Sequence, residues 1–176
     1  MYSGMIPLRR MAAIAFFSSI LCLAGAARSA EPTLLGTFND WTAHTYKASD
    51  TKVCYVVSQP KKSEAARKVK RDPIFFIVTH MPGRKISGEV STIIGYPFKE
   101  SATVQLKVDE AEFELFTNGD GAWADTKEKE QKIVAAMKSG KTMLVKGTSW
   151  KGTETTDTYS LSGLSAAMES IDVACK

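Results

Sequence analysis

The sequence predicts a mainly β fold, an antiparallel β-sandwich with two short helices and one disulfide. Short runs of β-branched and aromatic residues recur along the chain and are separated by Gly, Pro, Asn and Asp, as in all-β domains. Two segments place apolar residues at helical spacing instead. Two cysteines, Cys54 and Cys175, follow the N-terminal segment and are available to join an early strand to the end of the chain.

The first 30 residues have the pattern of a secretory signal peptide. Arg9 and Arg10 precede an apolar run over 11–26, and mostly small residues lead to Ala30. The run is shorter than the roughly 20 residues that cross a bilayer, so we expect it to be removed. The sequence therefore predicts a signal peptide over 1–30, cleaved within 26–30, and a single β-sandwich domain over 31–176. We expect the mature chain to be periplasmic or secreted and to lack a transmembrane anchor.

Eight segments are strand candidates. The run 104–108 is apolar at every second position and predicts a strand with one buried face. The run 74–78 is apolar throughout and predicts a central strand that is covered on both faces. Asp109 and Glu110 predict the turn between two of the strands. The candidates are 38–46, 53–58, 74–80, 89–94, 103–108, 112–117, 142–149 and 155–160.

Two segments predict helices that pack on the sheet. In 126–139, Ile133, Ala136 and Met137 recur at helical spacing, with Asp125 as the expected N-cap and Gly140 as the stop. In 164–171, an apolar stripe is formed by Leu164, Ala167, Met168 and Ile171. The second helix would bring Cys175 back towards Cys54.

Charge and cysteine content restrict the function classes. The chain has a formal charge of +4, but removal of 1–30 leaves 20 basic against 19 acidic residues, so composition does not indicate a nucleic-acid binder. Cys22 would leave with the signal peptide, and two remaining cysteines in an oxidising compartment usually pair. We therefore predict a structural disulfide between Cys54 and Cys175. No Cys-x-x-Cys spacing is present, which disfavours a redox pair.

The residues that catalysis needs are sparse. His44 and His80 are the two histidines of the chain, and no Gly-x-Ser-x-Gly motif accompanies them. Two isolated histidines and two paired cysteines provide no zinc-ligand cluster, and no motif predicts another cofactor. An acidic cluster permits an alternative, a periplasmic hydrolase of envelope polymers that uses paired carboxylates. Its members are Asp109, Glu110, Glu112 and Glu114.

The strongest candidate for binding is a basic segment, residues 61–71, which carries six positive charges and one negative charge. We expect a long, mobile loop between two strands that binds an envelope protein, an anionic lipid or a cell-wall polymer. The predicted binding residues are Lys61, Lys62, Arg67, Lys68, Lys70 and Arg71. A second candidate is the turn at Gly95, in which Tyr96 and Phe98 flank a proline and would protrude as an aromatic knob.

Three short motifs carry a resemblance to a known family. Phe38-Asn39-Asp40-Trp41, the segment Cys-Tyr-Val-Val-Ser-Gln at 54–59, and the segment Tyr-Ser-Leu-Ser-Gly-Leu-Ser-Ala-Ala at 159–167 resemble the bacterial invasion-associated locus B (IalB) family. The resemblance implies a secreted or envelope-associated β-sandwich protein that the family name links to host-cell invasion. It implies no catalytic residues.

These observations together predict an exported, non-enzymatic binding or accessory protein of the envelope. Two alternatives remain open at this point. The first is the hydrolase described above, and the second is a periplasmic inhibitor or chaperone-like partner of another protein. A protruding turn at 95–98 would favour the second alternative.

Overall fold

Antiparallel strands make up most of the structure, a computed structural model that describes residues 31–49 and 51–176. The predicted signal peptide lies outside the described residues. Two helices, α1 Lys127–Ser139 and α2 Leu164–Ala174, accompany the strands, and a single 3-10 turn covers Pro82–Arg84. The strands are β1 Thr33–Phe38, β2 Trp41–Ala48, β3 Thr51–Ser58, β4 Lys62–Ala65, β5 Phe75–Met81, β6 Ile86–Ile93, β7 Thr103–Val108, β8 Ala111–Asn118, β9 Gly121–Trp123, β10 Thr142–Thr148 and β11 Glu154–Ser160.

All eleven strands belong to one hydrogen-bonded sheet in the order β1-β2-β3-β5-β6-β9-β8-β7-β10-β11-β4. The sheet bends so that side chains from its two halves meet in one core. Phe76 on β5 contacts Tyr159 on β11 with ring centroids 5.9 Å apart, although these strands are not paired. The Trp41 Nε1 of β2 donates to the carbonyl oxygen of Ser160 at 3.0 Å. The predicted fold class, mainly antiparallel β with two helices, is confirmed.

The strand predictions and the structure differ most at β1, β4 and β9. The strand predicted over 38–46 begins too early, because Asn39 adopts a positive φ of 50° in a tight turn and β2 starts at Trp41. The strand β1 precedes this turn and was not predicted apart from its last residue. The strand β4 lies within the basic segment, and its four residues are all exposed, so it has no hydrophobic alternation to reveal it. The strand β9 has three residues, which is too short for a periodic pattern.

Both predicted helices are present, with small differences at their ends. The N-cap of α1 is Thr126, whose hydroxyl accepts the backbone N–H of Lys129 at 3.2 Å. The expected cap, Asp125, instead contacts the Nζ of Lys129 at 2.8 Å. The helix α2 continues to Ala174 and packs on β1, β2 and β3. Within the described residues, neither helix has the length and hydrophobicity to span a membrane.

The predicted disulfide between Cys54 and Cys175 is confirmed. Cys54 is fully buried on β3, and Cys175 directly follows α2. The bond joins residues that are 121 positions apart and fixes the end of α2 to the sheet. The burial of Leu164, Met168 and Ile171 on the inner face of α2 depends on this position of the helix.

A buried ion pair connects the end of the basic segment to β11. The Nη1 and Nη2 atoms of Arg71 donate to the two carboxylate oxygens of Asp157 at 2.7 and 2.6 Å. Nε and Nη2 also donate to the carbonyl oxygen of Ile94, at 2.9 and 2.7 Å. The side chain of Asp157 is fully buried and that of Arg71 is 10% exposed. The expectation that Arg71 is a surface binding residue is therefore wrong, because an inward-facing carboxylate requires a cationic partner.

We predict that the double substitution Cys54→Ser and Cys175→Ser lowers the free energy of unfolding by about 3 kcal/mol, since the bond closes a long loop in the unfolded chain. Urea denaturation of the variant and of the wild type checks this loss. Reduced wild type serves as the control and should unfold at the same urea concentration as the variant. Equal midpoints for the oxidised wild type and the variant would contradict the structural role.

We predict that Arg71→Met lowers the free energy of unfolding by about 3 to 5 kcal/mol, because it leaves the carboxylate of Asp157 buried without a partner. The companion substitution Asp157→Asn in the same chain should recover a large part of that loss. Lys70→Met, which removes an exposed charge at the adjacent position, is the matched control and should change stability little. Equal effects of Arg71→Met and Lys70→Met would show that no buried pair exists.

Candidate functional site

The basic segment begins as a strand rather than as a free loop. Its strand β4 pairs antiparallel with β11 at the edge of the sheet. Backbone hydrogen bonds from Lys61 N to Thr158 O at 2.8 Å and from Ala66 N to Glu154 O at 3.1 Å fix both ends of this strand. The residues after Ala66 then cross back towards β5. The charge pattern of the segment predicts a long, mobile loop, whereas the backbone of 61–66 is held along the sheet edge.

The six predicted cations of the segment fall into different environments. Lys61 forms an ion pair with Asp40, and the hydrogen bond from Lys61 holds the pKa of that carboxyl below its usual range. Lys62 contacts Glu64 at 2.9 Å. Arg71 is buried against Asp157. The remaining three, Arg67, Lys68 and Lys70, are exposed and line one groove.

This groove, which we call the basic groove, has a volume of about 410 Å³. Residues 67–70 form one side, residues 95–97 another, and the turn at 149–153 closes it. Trp150 lies at the edge of the basic groove and is 62% exposed. The Nζ of Lys151 lies 4.8 Å from the centroid of its indole ring. The charged residues that line the groove are Arg67, Lys68, Lys70, Lys151 and Asp72. Four positive charges thus oppose one negative charge beside an accessible aromatic ring.

Trp150 and Lys151 line the basic groove but are not among the residues predicted to bind a ligand. They lie about 80 positions after the basic segment, and long-range backbone contacts bring the two regions together: β4 pairs with β11, and the N–H of Trp150 donates to the carbonyl oxygen of Pro97 at 2.9 Å. The available signal was local: a tryptophan within Ser149-Trp150-Lys151-Gly152 is an unusual choice for a turn, where polar residues predominate.

The turn at 95–98 does not protrude as an aromatic knob. Tyr96 is 5% exposed and Phe98 is 8% exposed, and the centroids of their rings are 5.8 Å apart. The hydroxyl of Tyr96 lies 2.6 Å from the Oγ1 of Thr155, and the guanidinium of Arg71 lies 5.1 Å from the centre of the tyrosine ring. The expectation of exposed aromatics is therefore wrong, because both rings are needed to fill the core beneath the basic groove.

Gly95 makes this close packing possible. It has a positive φ of 77°, and a Cβ atom at this position would lie 2.3 Å from the carbonyl oxygen of Asp72. The backbone N–H of Asp72 donates to the carbonyl oxygen of Gly95 at 2.9 Å. The chain after Arg71 is therefore held directly against the start of the buried turn.

Each histidine is engaged by contacts within the fold. The Nδ1 of His80 accepts the N–H of Gly88 at 2.8 Å, so that in the neutral ring Nε2 carries the proton and donates to Asp172 at 2.8 Å. Both ring nitrogens are thus engaged. His44 stacks on Tyr55 with ring centroids 5.1 Å apart, and partial burial lowers its pKa. These contacts are typical of histidines that stabilise the fold.

The acidic cluster lies around the turn between β7 and β8. The carboxylate of Asp109 accepts two backbone N–H groups at the start of β10, both at 3.0 Å. Glu110 and Glu112 contact the Nζ of Lys107 at 3.5 and 3.6 Å. Glu112 and Glu114 are exposed on one face of β8, as the sequence alternation predicts. Across residues 31–49 and 51–176, no group of three or more His, Cys, Asp or Glu side chains is arranged to hold a metal ion.

Comparisons with known proteins agree with this architecture. The family model described as "Invasion associated locus B (IalB) protein" matches residues 41–172. A crystal structure of invasion associated protein b from Bartonella henselae is similar in fold, with a TM-score of 0.53 and 18% sequence identity, covering 81% of this chain and 96% of that chain. No curated protein matches the sequence. Because the family model covers well over half of the chain, including most of the sheet, α1 and most of α2, the chain belongs to the invasion associated locus B (IalB) family.

Proposed function

We propose that this protein is an exported, non-enzymatic binding protein of the bacterial envelope and that its basic groove holds an anionic glycan. The observation that carries the proposal is the convergence of four exposed cations and one exposed tryptophan on a single groove. The residues are Arg67, Lys68, Lys70, Lys151 and Trp150. Anionic glycans of this class include lipopolysaccharide and charged cell-wall polymers.

Local charge supports an anionic ligand. The sequence after residue 30 is close to neutral, with 20 basic and 19 acidic residues, so a general electrostatic attraction is weak. In the basic groove, however, four cations face the single carboxylate of Asp72. Charges concentrated in a concave surface raise the local concentration of oppositely charged ligands more than the same charges spread over a protein. Affinity should consequently depend on ionic strength.

Trp150 favours a sugar over a bare inorganic anion. Its indole ring is large, mostly apolar and 62% exposed. A partner that covers such a ring removes apolar surface from water, which favours binding. A pyranose ring has an apolar C–H face that fits a flat aromatic surface, whereas its phosphate or carboxylate substituents suit the surrounding cations. The two kinds of contact are available within the same groove.

Export and an envelope location are part of the proposal. The composition of residues 1–30 is that of a signal peptide, and the disulfide between Cys54 and Cys175 suits an oxidising compartment. The family name associates its members with invasion. We extend that association to this chain as the proposal that glycan binding serves contact at the cell surface.

The hydrolase alternative receives less support from the geometry. Glycoside hydrolysis requires two carboxyl groups on opposite sides of a bond held in a cleft. Glu112 and Glu114 are exposed side by side on the same face of β8, and Asp109 is engaged by backbone N–H groups. The inhibitor or chaperone alternative relied on a protruding turn at 95–98, and the aromatics of that turn are buried.

We predict that the triple substitution Arg67→Glu, Lys68→Glu and Lys70→Glu weakens binding to purified lipopolysaccharide about tenfold or more at low salt. Calorimetric titration at two ionic strengths measures the effect. The matched control is Lys47→Glu, Lys132→Glu and Lys146→Glu, which changes the net charge equally at exposed sites outside the basic groove. Equal losses in the two triple variants, or wild-type affinity in the first, would refute a localised site.

We predict that Trp150→Ala weakens binding of the same glycan about fivefold and leaves its salt dependence unchanged, because the lost contact is apolar. Phe116→Ala removes another exposed aromatic, 47% exposed on β8, and should not alter affinity. Titrations over a series of salt concentrations separate the two effects. If Trp150→Ala reduced the salt dependence and not the affinity, the indole would have no stacking role.

A further inference from the structure

We propose that a second groove, between α1, α2 and the start of β6, binds a small amphipathic anion with one anionic head and a short apolar chain. We call it the helix groove. It has a volume of about 390 Å³, which lies within the range of about 300 to 1,000 Å³ that is usual for small-molecule sites. Its residues are separate from those of the basic groove, so the proposal does not depend on glycan binding.

One continuous face of α1 forms a wall of the helix groove. Its residues are spaced at i, i+4, i+7, i+8 and i+11, which places them on the same side of an α-helix. They are Lys127, Gln131, Val134, Ala135 and Lys138. The stripe is therefore charged at both ends and apolar near its middle. This differs from the buried face of α1, which consists of Ile133 and Met137 and packs into the core.

The middle of the helix groove is apolar. Val134 and Ala135 of α1 line it together with Met168 of α2, which is 2% exposed and therefore forms its floor. The flexible thioether side chain of methionine adapts to ligands of different shape. Gly88 on β6 lines the opposite side without a side chain. The atom nearest to a Cβ built at Gly88 is the Cγ2 of Val134 at 3.9 Å, so the space beside the glycine is open. An alkyl chain would be covered on three sides.

The charges within the helix groove indicate the orientation of the ligand. Lys127 lies close to Lys85, with its Nζ 3.5 Å from the carbonyl oxygen of Lys85. Lys138 stands about 16 Å away along α1 and contacts Asp172 at 4.0 Å. Asp172 also accepts the hydrogen bond from His80. An anionic head therefore belongs at the end formed by Lys85 and Lys127, because the carboxylate of Asp172 occupies the other end.

Decanoate, used as a monomer below its micelle concentration, is a suitable probe. We expect saturable changes in the methyl NMR signal of Met168 in protein labelled at methionine methyl groups. Met143 on β10 does not line the helix groove, so it is an internal control whose signal should stay constant. Decanol has the same alkyl chain and no charge, so its affinity should be lower than that of decanoate by about fivefold or more.

A pair of double variants tests the role of the lysines. Lys85→Gln with Lys127→Gln should weaken decanoate binding about fivefold, whereas Lys132→Gln with Lys146→Gln removes the same charge elsewhere and should leave it unchanged. Equal affinity of the first variant and wild type, equal binding of decanol and decanoate, or no Met168 shift would overturn the proposal. A Met168 shift seen with anionic lipid vesicles but not with monomeric decanoate would also overturn it, because the site would then recognise a membrane surface.

Discussion

The buried ion pair between Arg71 and Asp157 is the interaction on which the proposed glycan site depends. Asp157 occupies an inward-facing position of β11 and is fully buried, so its carboxylate requires a cationic partner inside the core. Arg71 supplies that cation and also donates to the carbonyl oxygen of Ile94. The end of the basic segment is thereby fixed inside the protein. The three cations that precede Arg71 remain at the surface, close to Trp150.

Much of the fold could be predicted because its signals are local. The alternation at 104–108 buries Val104, Leu106 and Val108 on one face of β7. The apolar stripe of the second helix packs on the sheet, and the two cysteines after residue 30 allowed one pairing with each other. The run at 74–78 was expected to be covered on both faces. It does lie between two strands, but Phe75 and Ile77 are only half-buried, so the expectation of two covered faces is wrong for this side of β5.

The parts that sequence reasoning did not find depend on contacts between distant positions. Arg71 and Asp157 are 86 positions apart, and the arginine lies in a run of cations in which nothing marks one member as buried. Asp157 did carry a signal, because it follows the period of two that also buries Tyr159. Trp150 reaches the basic segment through long-range backbone contacts, among them the pairing of β4 with β11, and β4 has no hydrophobic pattern. Charge density therefore identified the basic segment but not the other residues that line the basic groove.

Amide hydrogen exchange at Asp72 tests the central claim most directly. Its N–H donates to the carbonyl oxygen of Gly95 immediately after the buried guanidinium, whereas Lys68 lies on the exposed part of the segment. If the ion pair fixes this part of the chain, the Asp72 amide should exchange as slowly as core amides of β5, such as that of Val78, and far more slowly than the Lys68 amide. Exchange at Asp72 as fast as at Lys68 would show that the segment opens freely, and the account of a preformed groove would fail.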